Sequence, residues 1–218
     1  GGGYAAAVVK GEAPVNKCAA GGESVAAQIA EIMGVAAGDS VKMVAQVHCT
    51  GCGADKQKYA YIGVHDCLAA ARLPGGGPLS CQYGCLGMGT CESVCPFDAI
   101  HVVDGVAKVD KDKCTGCGAC ANICPKHVIM IDAGGPRKPV VMCSNQDKGP
   151  VAMKACTTSC IACGMCERTC KFDAIHVVDG VARVDYDKCK GCGMCAQKCP
   201  KHIILFPLKD DPNPPKPV

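Results

Sequence analysis

Cys189-Lys-Gly-Cys-Gly-Met-Cys-Ala-Gln-Lys-Cys-Pro200 places four thiols within twelve residues. None is separated from the next by enough chain to pack on its own. The three-residue steps from Cys189 to Cys192 to Cys195 suit mutual disulfides poorly, because a disulfide needs a set Cα separation and Cβ direction. Four thiolates so close together fit an inorganic core. The arrangement recurs: Cys114, Cys117, Cys120 and Cys124 with Pro125 repeat it, and Cys160, Cys163, Cys166 and Cys170 repeat it with Lys171 in place of proline. A stretched version joins Cys81, Cys85, Cys91, Cys95 and Pro96, so these runs hold sixteen of the 22 cysteines. Residues 97–130 align with 172–205 without gaps at an offset of 75, with 26 of 34 positions identical. The chain therefore contains an internal duplication, two runs to each copy.

The run resembles that of bacterial ferredoxins, C-x-x-C-x-x-C-x-x-x-C-P, in which three close cysteines hold one [4Fe-4S] cube and the fourth ligates the neighbouring cube. Composition supports a metal-built interior. With no Trp, three Phe and five Tyr in 218 residues, aromatic mass for a core is scarce, and metals staple domains that cannot rely on burial alone. The metal-free chain is expected to be largely unfolded. Cysteine-dense chains are also built as secreted disulfide frameworks, but the spacing favours clusters, a reducing compartment and an anaerobic way of life. A cube with its four thiolates carries about −2, so four of them take the formal charge of +3 to about −5. Scattered lysines without an aromatic platform argue against nucleic acid as a partner.

The expected fold class is α+β: tandem two-cluster ferredoxin-like domains of short hairpins and helices, preceded by a small helical fragment. Residues 1–40 read as that fragment, with Val25, Ile29, Ile32 and Met33 on one helical face; Gly34 and Gly38 end the helix. Residues 41–78 read as a cysteine-containing connecting segment, with a strand over 41–47 leading to Cys49 and Cys52, and a short helix capped by Asp66. The first two-cluster domain spans 79–135, a second connector 136–157, and the second domain 158–206. Asp104-Gly105 and Asp179-Gly180, each between apolar runs, predict hairpins. Five prolines in residues 207–218 mark an extended tail. No apolar run approaches the ~20 residues needed to span a bilayer, and from the start at Gly1 without methionine a fragment is expected.

Exchange of the fourth ligand between paired runs predicts four cubes. The first takes Cys81, Cys85, Cys91 and Cys124; the second Cys114, Cys117, Cys120 and Cys95; the third Cys160, Cys163, Cys166 and Cys199; the fourth Cys189, Cys192, Cys195 and Cys170. The Cys81–Cys91 loop is the weak point, since its longer spacing holds a cube less tightly or recruits another cysteine. Four-cysteine zinc sites are the rival, but zinc ribbons do not step three cysteines evenly before C-x-x-x-C-P. Two readings stay open for the remaining cysteines: Cys49, Cys52 and Cys67, completed by Cys143 or Cys156, form a fifth metal centre, or they are buried thiols. Cys18 on its own reads equally well as a small buried thiol. His101, His176, His127 and His202 follow the duplication and need no metal role; His48 and His65, near Cys49 and Cys67, are better ligand candidates.

Longer stretches resemble a particular family, the B subunits of Rnf-type ion-translocating ferredoxin:NAD⁺ oxidoreductases. They are Cys49-Thr-Gly-Cys, Tyr61-Ile-Gly-Val-His-Asp-Cys-Leu-Ala-Ala, Cys81-Gln-Tyr-Gly-Cys-Leu-Gly-Met-Gly-Thr-Cys91, Cys143-Ser-Asn-Gln-Asp-Lys-Gly and Cys160-Ile-Ala-Cys-Gly-Met-Cys166. The resemblance implies an electron-transferring protein with no bond-making chemistry of its own, accepting electrons from reduced ferredoxin. It implies passage onward to other subunits of a membrane complex, at the cytoplasmic face of the membrane, with this fragment soluble. It also implies a preceding membrane helix and a four-cysteine domain of which Cys18 is the orphaned last ligand. Lys171, Lys190, Lys198 and Lys201 are candidates for docking an acidic ferredoxin. The alternative is a polyferredoxin-type carrier or the electron-transfer subunit of another anaerobic oxidoreductase.

Overall fold

A computed structural model of the chain describes residues 2–18, 21–36, 42–51, 56–133 and 138–206. Two helices come first, α1 (Gly2–Val9) and α2 (Gly22–Met33). They share a small core of Val8, Val15 and Ala30, against which Tyr4, Ile29 and Met33 pack. The buried stripe of α2 differs from the expected one: Ala26 and Ala30 are buried while Ile32 is 82 % exposed. At 100° per residue, positions 26, 29, 30 and 33 fall on one face and position 32 turns to its edge. Gly34 closes α2 with φ 65°, its N–H reaching the Ala30 and Glu31 carbonyls, an ending glycine adopts without a Cβ penalty. Gly38, expected as a second stop, lies outside the described residues, as does the proline-rich tail.

The duplicated part is built from two-stranded antiparallel ladders. β1 (Met43–Val47) pairs with β4 (Ile129–Ala133), Met43 opposite Ala133 and Val47 opposite Ile129. β2 (Ile100–Val103) and β3 (Val106–Val109) form one hairpin, and β6 (Ile175–Val178) and β7 (Val181–Val184) its copy. β5 (Val140–Val141) pairs with β8 (Ile204–Leu205). At the hairpin tips Asp104 and Gly105 have φ 53° and 74°, and Asp179 and Gly180 49° and 78°, positive φ at both central positions as the hairpin sequence signal requires. Short helices carry the cysteines between strands: α3 (Cys67–Ala71), α4 (Thr90–Ser93), α5 (Ala119–Ile123), α7 (Met165–Thr169) and α8 (Met194–Lys198), with α6 (Gly149–Ala155) before the second module. The mixture of helices and antiparallel pairs is α+β.

β1 and β5 arise in segments that the sequence presents as connectors, yet each pairs with the last strand of a module. Val44, Ala45 and Val47 of β1 join Ile100, Val106, Val128 and Ile129 in one core; Val141 of β5 joins Ile175, Val181, Ile203 and Phe206 in the other. The two modules also meet. His48 N–H donates to Val128 O at 2.7 Å, its Nδ1 to Val141 O at 2.8 Å, and Ser144 Oγ donates to His48 O at 3.2 Å. His48 is buried and its Nε2 lies 3.4 Å from Asp132 Oδ2, so the ring serves the seam. Tyr186 stands where the 75-residue offset puts Lys111. Its hydroxyl donates to Pro139 O at 3.0 Å and bonds the Gln46 side chain, and burial pushes its pKa up. This departure from the duplication is a contact between the copies.

The repeated histidines have carboxylate partners. Glu92 holds His101 Nδ1 at 3.1 Å and Val102 N at 3.0 Å; Glu167 does the same for His176 at 3.1 Å and Val177 at 3.3 Å. These hydrogen bonds raise the pKa of both histidines and lower those of both glutamates. Each pair fastens a cysteine-bearing helix to its hairpin.

Candidate iron–sulfur centres

Cysteine loops with a shared backbone shape surround four cavities or thiol groups. Gly116 and Gly118 flank Cys117 with φ 69° and 83°, Ala162 and Gly164 flank Cys163 with 53° and 69°, and Gly191 and Gly193 flank Cys192 with 66° and 74°. Left-handed residues on both sides swing the second cysteine outward, and all three are exposed. The third cysteine follows within the first turn of the next helix: Cys120 in α5, Cys166 in α7, Cys195 in α8. One cavity gathers Cys114, Cys117 and Cys120 with Cys95 from the other run. Another gathers Cys189, Cys192 and Cys195 with Cys170. Cys166 lies within electrostatic reach of Cys160, Cys163 and Cys199.

The remaining cavity departs from the expected set. It is lined by Cys67, Cys85, Cys91 and Cys124, so Cys67 takes the place that the sequence reading gives to Cys81. The 75-residue offset, extended upstream, explains why: Cys85 falls on Cys160, Met88 on Cys163, Cys91 on Cys166 and Cys95 on Cys170. The run is a regular one beginning at Cys85, with methionine at its second position. Gly87 and Gly89 flank Met88 with φ 67° and 75°, the backbone of the other loops. Cys67 reaches the vacated position from α3. Asp66 caps that helix by accepting from Ala69 N at 2.8 Å, Thr90 Oγ1 donates to Asp66 Oδ2 at 2.9 Å, and Cys67 N donates to Thr90 Oγ1 at 2.8 Å. The capping bonds hold the Asp66 carboxyl below its usual range. Thr90 is the neighbour of Cys91, so the clamp ties α3 to the loop it completes. Continuing the alignment back to Cys85 is the sequence signal that locates this site.

Apart from Cys117, Cys163 and Cys192, the thiols are fully or partly shielded from solvent. Burial pushes Cys91 and Cys195 up to about 12, and Cys85, Cys120 and Cys166 up to about 11, so the chain alone keeps them protonated at neutral pH. A positively charged core reverses that preference, because binding a metal centre replaces the protons. Backbone N–H groups already point at several sulfurs: Ala45 N to Cys114 at 3.3 Å, Ala99 N to Cys95 at 3.4 Å and Ala174 N to Cys170 at 3.3 Å. Such bonds stabilise ligating thiolates and tune cluster potentials. Among the described residues no three His, Cys, Asp or Glu side chains converge closely enough to hold a single metal ion. In three of the groups the four cysteines line a cavity.

A family model described as a 4Fe-4S binding domain matches residues 107–130 and 182–205, and a second of the same description matches 157–173. Over 206 residues the chain is 43 % identical to the B subunit of a proton-translocating ferredoxin:NAD(+) oxidoreductase complex of Clostridium ljungdahlii, covering 92 % of this chain and 72 % of that one. It belongs to the family of B subunits of ion-translocating oxidoreductase complexes. The B subunit of the Na(+)-translocating ferredoxin:NAD(+) oxidoreductase complex of Acetobacterium woodii is 48 % identical over 202 residues, covering 92 % of this chain and 60 % of the relative. That of the ion-translocating oxidoreductase complex of Methanosarcina acetivorans is 39 % identical over 202 residues, covering 92 % and 76 %. The chain thus spans 60 % of the length of the Acetobacterium relative it matches. Among the described residues, no helix is long and apolar enough to cross a membrane.

Six cysteines stand outside the four groups. Cys18 is partly buried, and Cys52 lies outside the described residues. Cys156 is disulfide-bonded. Cys81 lies within electrostatic reach of Cys49 and of Cys143. His65 is exposed.

Proposed function

We propose that the chain is a multi-cluster electron relay that accepts electrons from reduced ferredoxin and hands them to other subunits of an ion-translocating ferredoxin:NAD⁺ oxidoreductase at the membrane. The ligand sets are Cys67, Cys85, Cys91 and Cys124; Cys114, Cys117, Cys120 and Cys95; Cys160, Cys163, Cys166 and Cys199; and Cys189, Cys192, Cys195 and Cys170. The observation that carries the reading is the grouping of four thiols, repeated through both modules, in a chain of this family. Each cluster supplies reversible one-electron transfer. The protein supplies thiolates, the N–H groups that stabilise them, and apolar walls such as Phe97, Ile100 and Ile131 or Phe172, Ile175 and Val184.

The docking face lies beside Cys192. That thiol is exposed and Lys190 lines the same cavity, while Lys171 and Lys198 are exposed and Lys201 half-buried. An acidic ferredoxin is steered there by long-range attraction, which speeds encounter by about ten- to a thousandfold at low salt. In anaerobic stopped-flow mixing, reduced ferredoxin is expected to bleach the cluster absorption of the loaded chain. Changing Lys171, Lys190 and Lys198 to Glu should slow this about tenfold or more at low salt, with the difference shrinking as salt is raised. A loaded chain that takes no electrons from reduced ferredoxin would sink the donor assignment.

The loop at Met88 offers a test of the first ligand set. A Cβ on Gly87, at φ 67°, would run into the Gly105 carbonyl at the hairpin tip. Gly87→Ala is expected to cost about four irons while leaving the second module's clusters in place. Full iron content in this variant would argue against the set.

A further inference from the structure

We propose that Ala45 and Pro139, equivalent residues of the two modules, set two cubes apart in reduction potential, the one on Cys189, Cys192, Cys195 and Cys170 being the lower. The inference rests on the ligand sets above and adds residues that are not ligands. Val47 stands opposite Ile129 and Val141 opposite Ile204, and residues 129 and 204 differ by the 75-residue offset. Counting back two residues along each segment reaches Ala45 and Pro139. Both are buried, and each lines the cavity of its own module. Ala45 stands with Cys114, Cys117, Cys120 and Cys95, and Pro139 with Cys189, Cys192, Cys195 and Cys170.

The two residues differ by one donor. Ala45 N donates to Cys114 Sγ at 3.3 Å. A proline nitrogen carries no hydrogen, so this bond has no counterpart at Cys189, which the offset sets against Cys114. A second bond is common to both sets: Ala99 N reaches Cys95 at 3.4 Å and Ala174 N reaches Cys170 at 3.3 Å. Reduction adds negative charge to a cube and its thiolates. An N–H dipole on a ligand sulfur stabilises that form more than the oxidised one, which is how such bonds help to set cluster potentials. Lysine charge works the same way, and each module rests a lysine on the loop that carries this cysteine. Lys42 Nζ donates to Asp112 O at 3.2 Å, and Lys138 Nζ to Tyr186 O at 2.8 Å and Cys189 O at 3.3 Å. Lys138 is partly exposed and acts through a carbonyl, whereas the Ala45 N–H acts on the sulfur itself in a buried setting, where a hydrogen bond is electrostatically stronger. The sulfur bond therefore outweighs the extra charge. Pro139 has its own support, since its carbonyl accepts from the Tyr186 hydroxyl at 3.0 Å. Proline and tyrosine thus depart from the duplication together. Electrons entering beside Cys192 then run downhill toward the cube of Cys114, one at a time, with no proton moved and no bond made.

The test is an EPR-monitored redox titration of the full chain, reconstituted anaerobically with iron and sulfide, beside an iron count. Cys117→Ser and Cys192→Ser should each remove one cube, about four irons, and so identify the signal of each. The signal lost with Cys192→Ser is expected to titrate at the lower potential. Ala45→Pro should raise the oxidised-to-reduced ratio of the other cube, at a fixed solution potential, about tenfold, a fall of about 59 mV for one electron. Pro139→Ala should move its own cube the opposite way by a similar factor. Loosened packing does not give shifts of opposite sign. At full iron content, an unmoved potential in either variant overturns the inference, and so does a reversed order in the unaltered chain. Where Ala45→Pro fails to load, Pro139→Ala, which supplies the missing N–H, decides alone. If Cys117→Ser and Cys192→Ser lose no iron, the ligand sets themselves fail and this inference falls with them.

Discussion

Replacing Cys67 by Ser is expected to remove a whole cluster, about four irons, although Cys67 lies outside every cysteine run and 18 residues before Cys85, the nearest loop thiol it joins. Serine keeps the size of the side chain but is a poor ligand where a soft thiolate is required. The sharper expectation is rescue. Met88 occupies the second position of a regular run, between Gly87 and Gly89 in the left-handed conformation that flanks Cys117 and Cys192. Adding Met88→Cys to Cys67→Ser rebuilds an unbroken C-x-x-C-x-x-C-x-x-x-C-P, and the lost irons should return. Iron content and the reduced-state EPR signal of the four chains, unaltered, single variants and double, make the measurement. If Cys67→Ser keeps its full iron and no change at Met88 matters, Cys67 is not a ligand and the first set must be redrawn.

That site also shows how far the sequence could be read. Period-two runs around Asp-Gly, the Asp66 cap and the evenly stepped cysteines are local signals, and β2, β3, β6, β7, α3 and α8 follow from them. The partner of β1 is not local. Val47 meets Ile129 more than eighty residues along the chain, and nothing in either strand names the other; the cysteines at the end of β1 suggested a separate segment, while burial of Val44, Ala45 and Val47 puts it in the first module's core. The place of Cys67 in the cavity with Cys85, Cys91 and Cys124 is not a local signal either. Counting cysteines favours Cys81, the nearest thiol upstream, whereas alignment of the duplicated copies makes Met88 the anomaly and sends the search for a replacement elsewhere. Cys81 itself stands apart from that cavity, and Asn145 Nδ2 of the other module donates to its Sγ. The differences between the copies carried this information: methionine for cysteine at 88, and tyrosine for lysine at 186.

Stripping the metal should unfold both modules together. The described helices between residues 67 and 206 run four to seven residues, far below the ~12–15 needed for even marginal helicity in isolation, and the described strands form only two-stranded pairs, which are marginal in water. Cysteines make up much of each core. A four-ligand metal site contributes on the order of 10–16 kcal/mol in small metal-nucleated peptides, as much as the whole stability of an ordinary domain, about 5–15 kcal/mol. Anaerobic oxidation with a chelator is therefore expected to erase the cooperative urea transition of the loaded chain and leave little far-UV signal beyond α1 and α2, whose core holds no cysteine among its buried members. Any order that survives in the metal-free modules themselves should weaken with rising pH. The folded thiols of Cys91 and Cys195 ionise at about 12, above the ordinary 9.0. A raised folded value means that stability is present below 9.0 and is lost as pH climbs from there toward 12. Loading runs the other way, since thiolates are the ligands and assembly releases protons. A metal-free chain that still unfolds cooperatively, with a midpoint close to that of the loaded one, would show that the apolar cores alone hold the modules together.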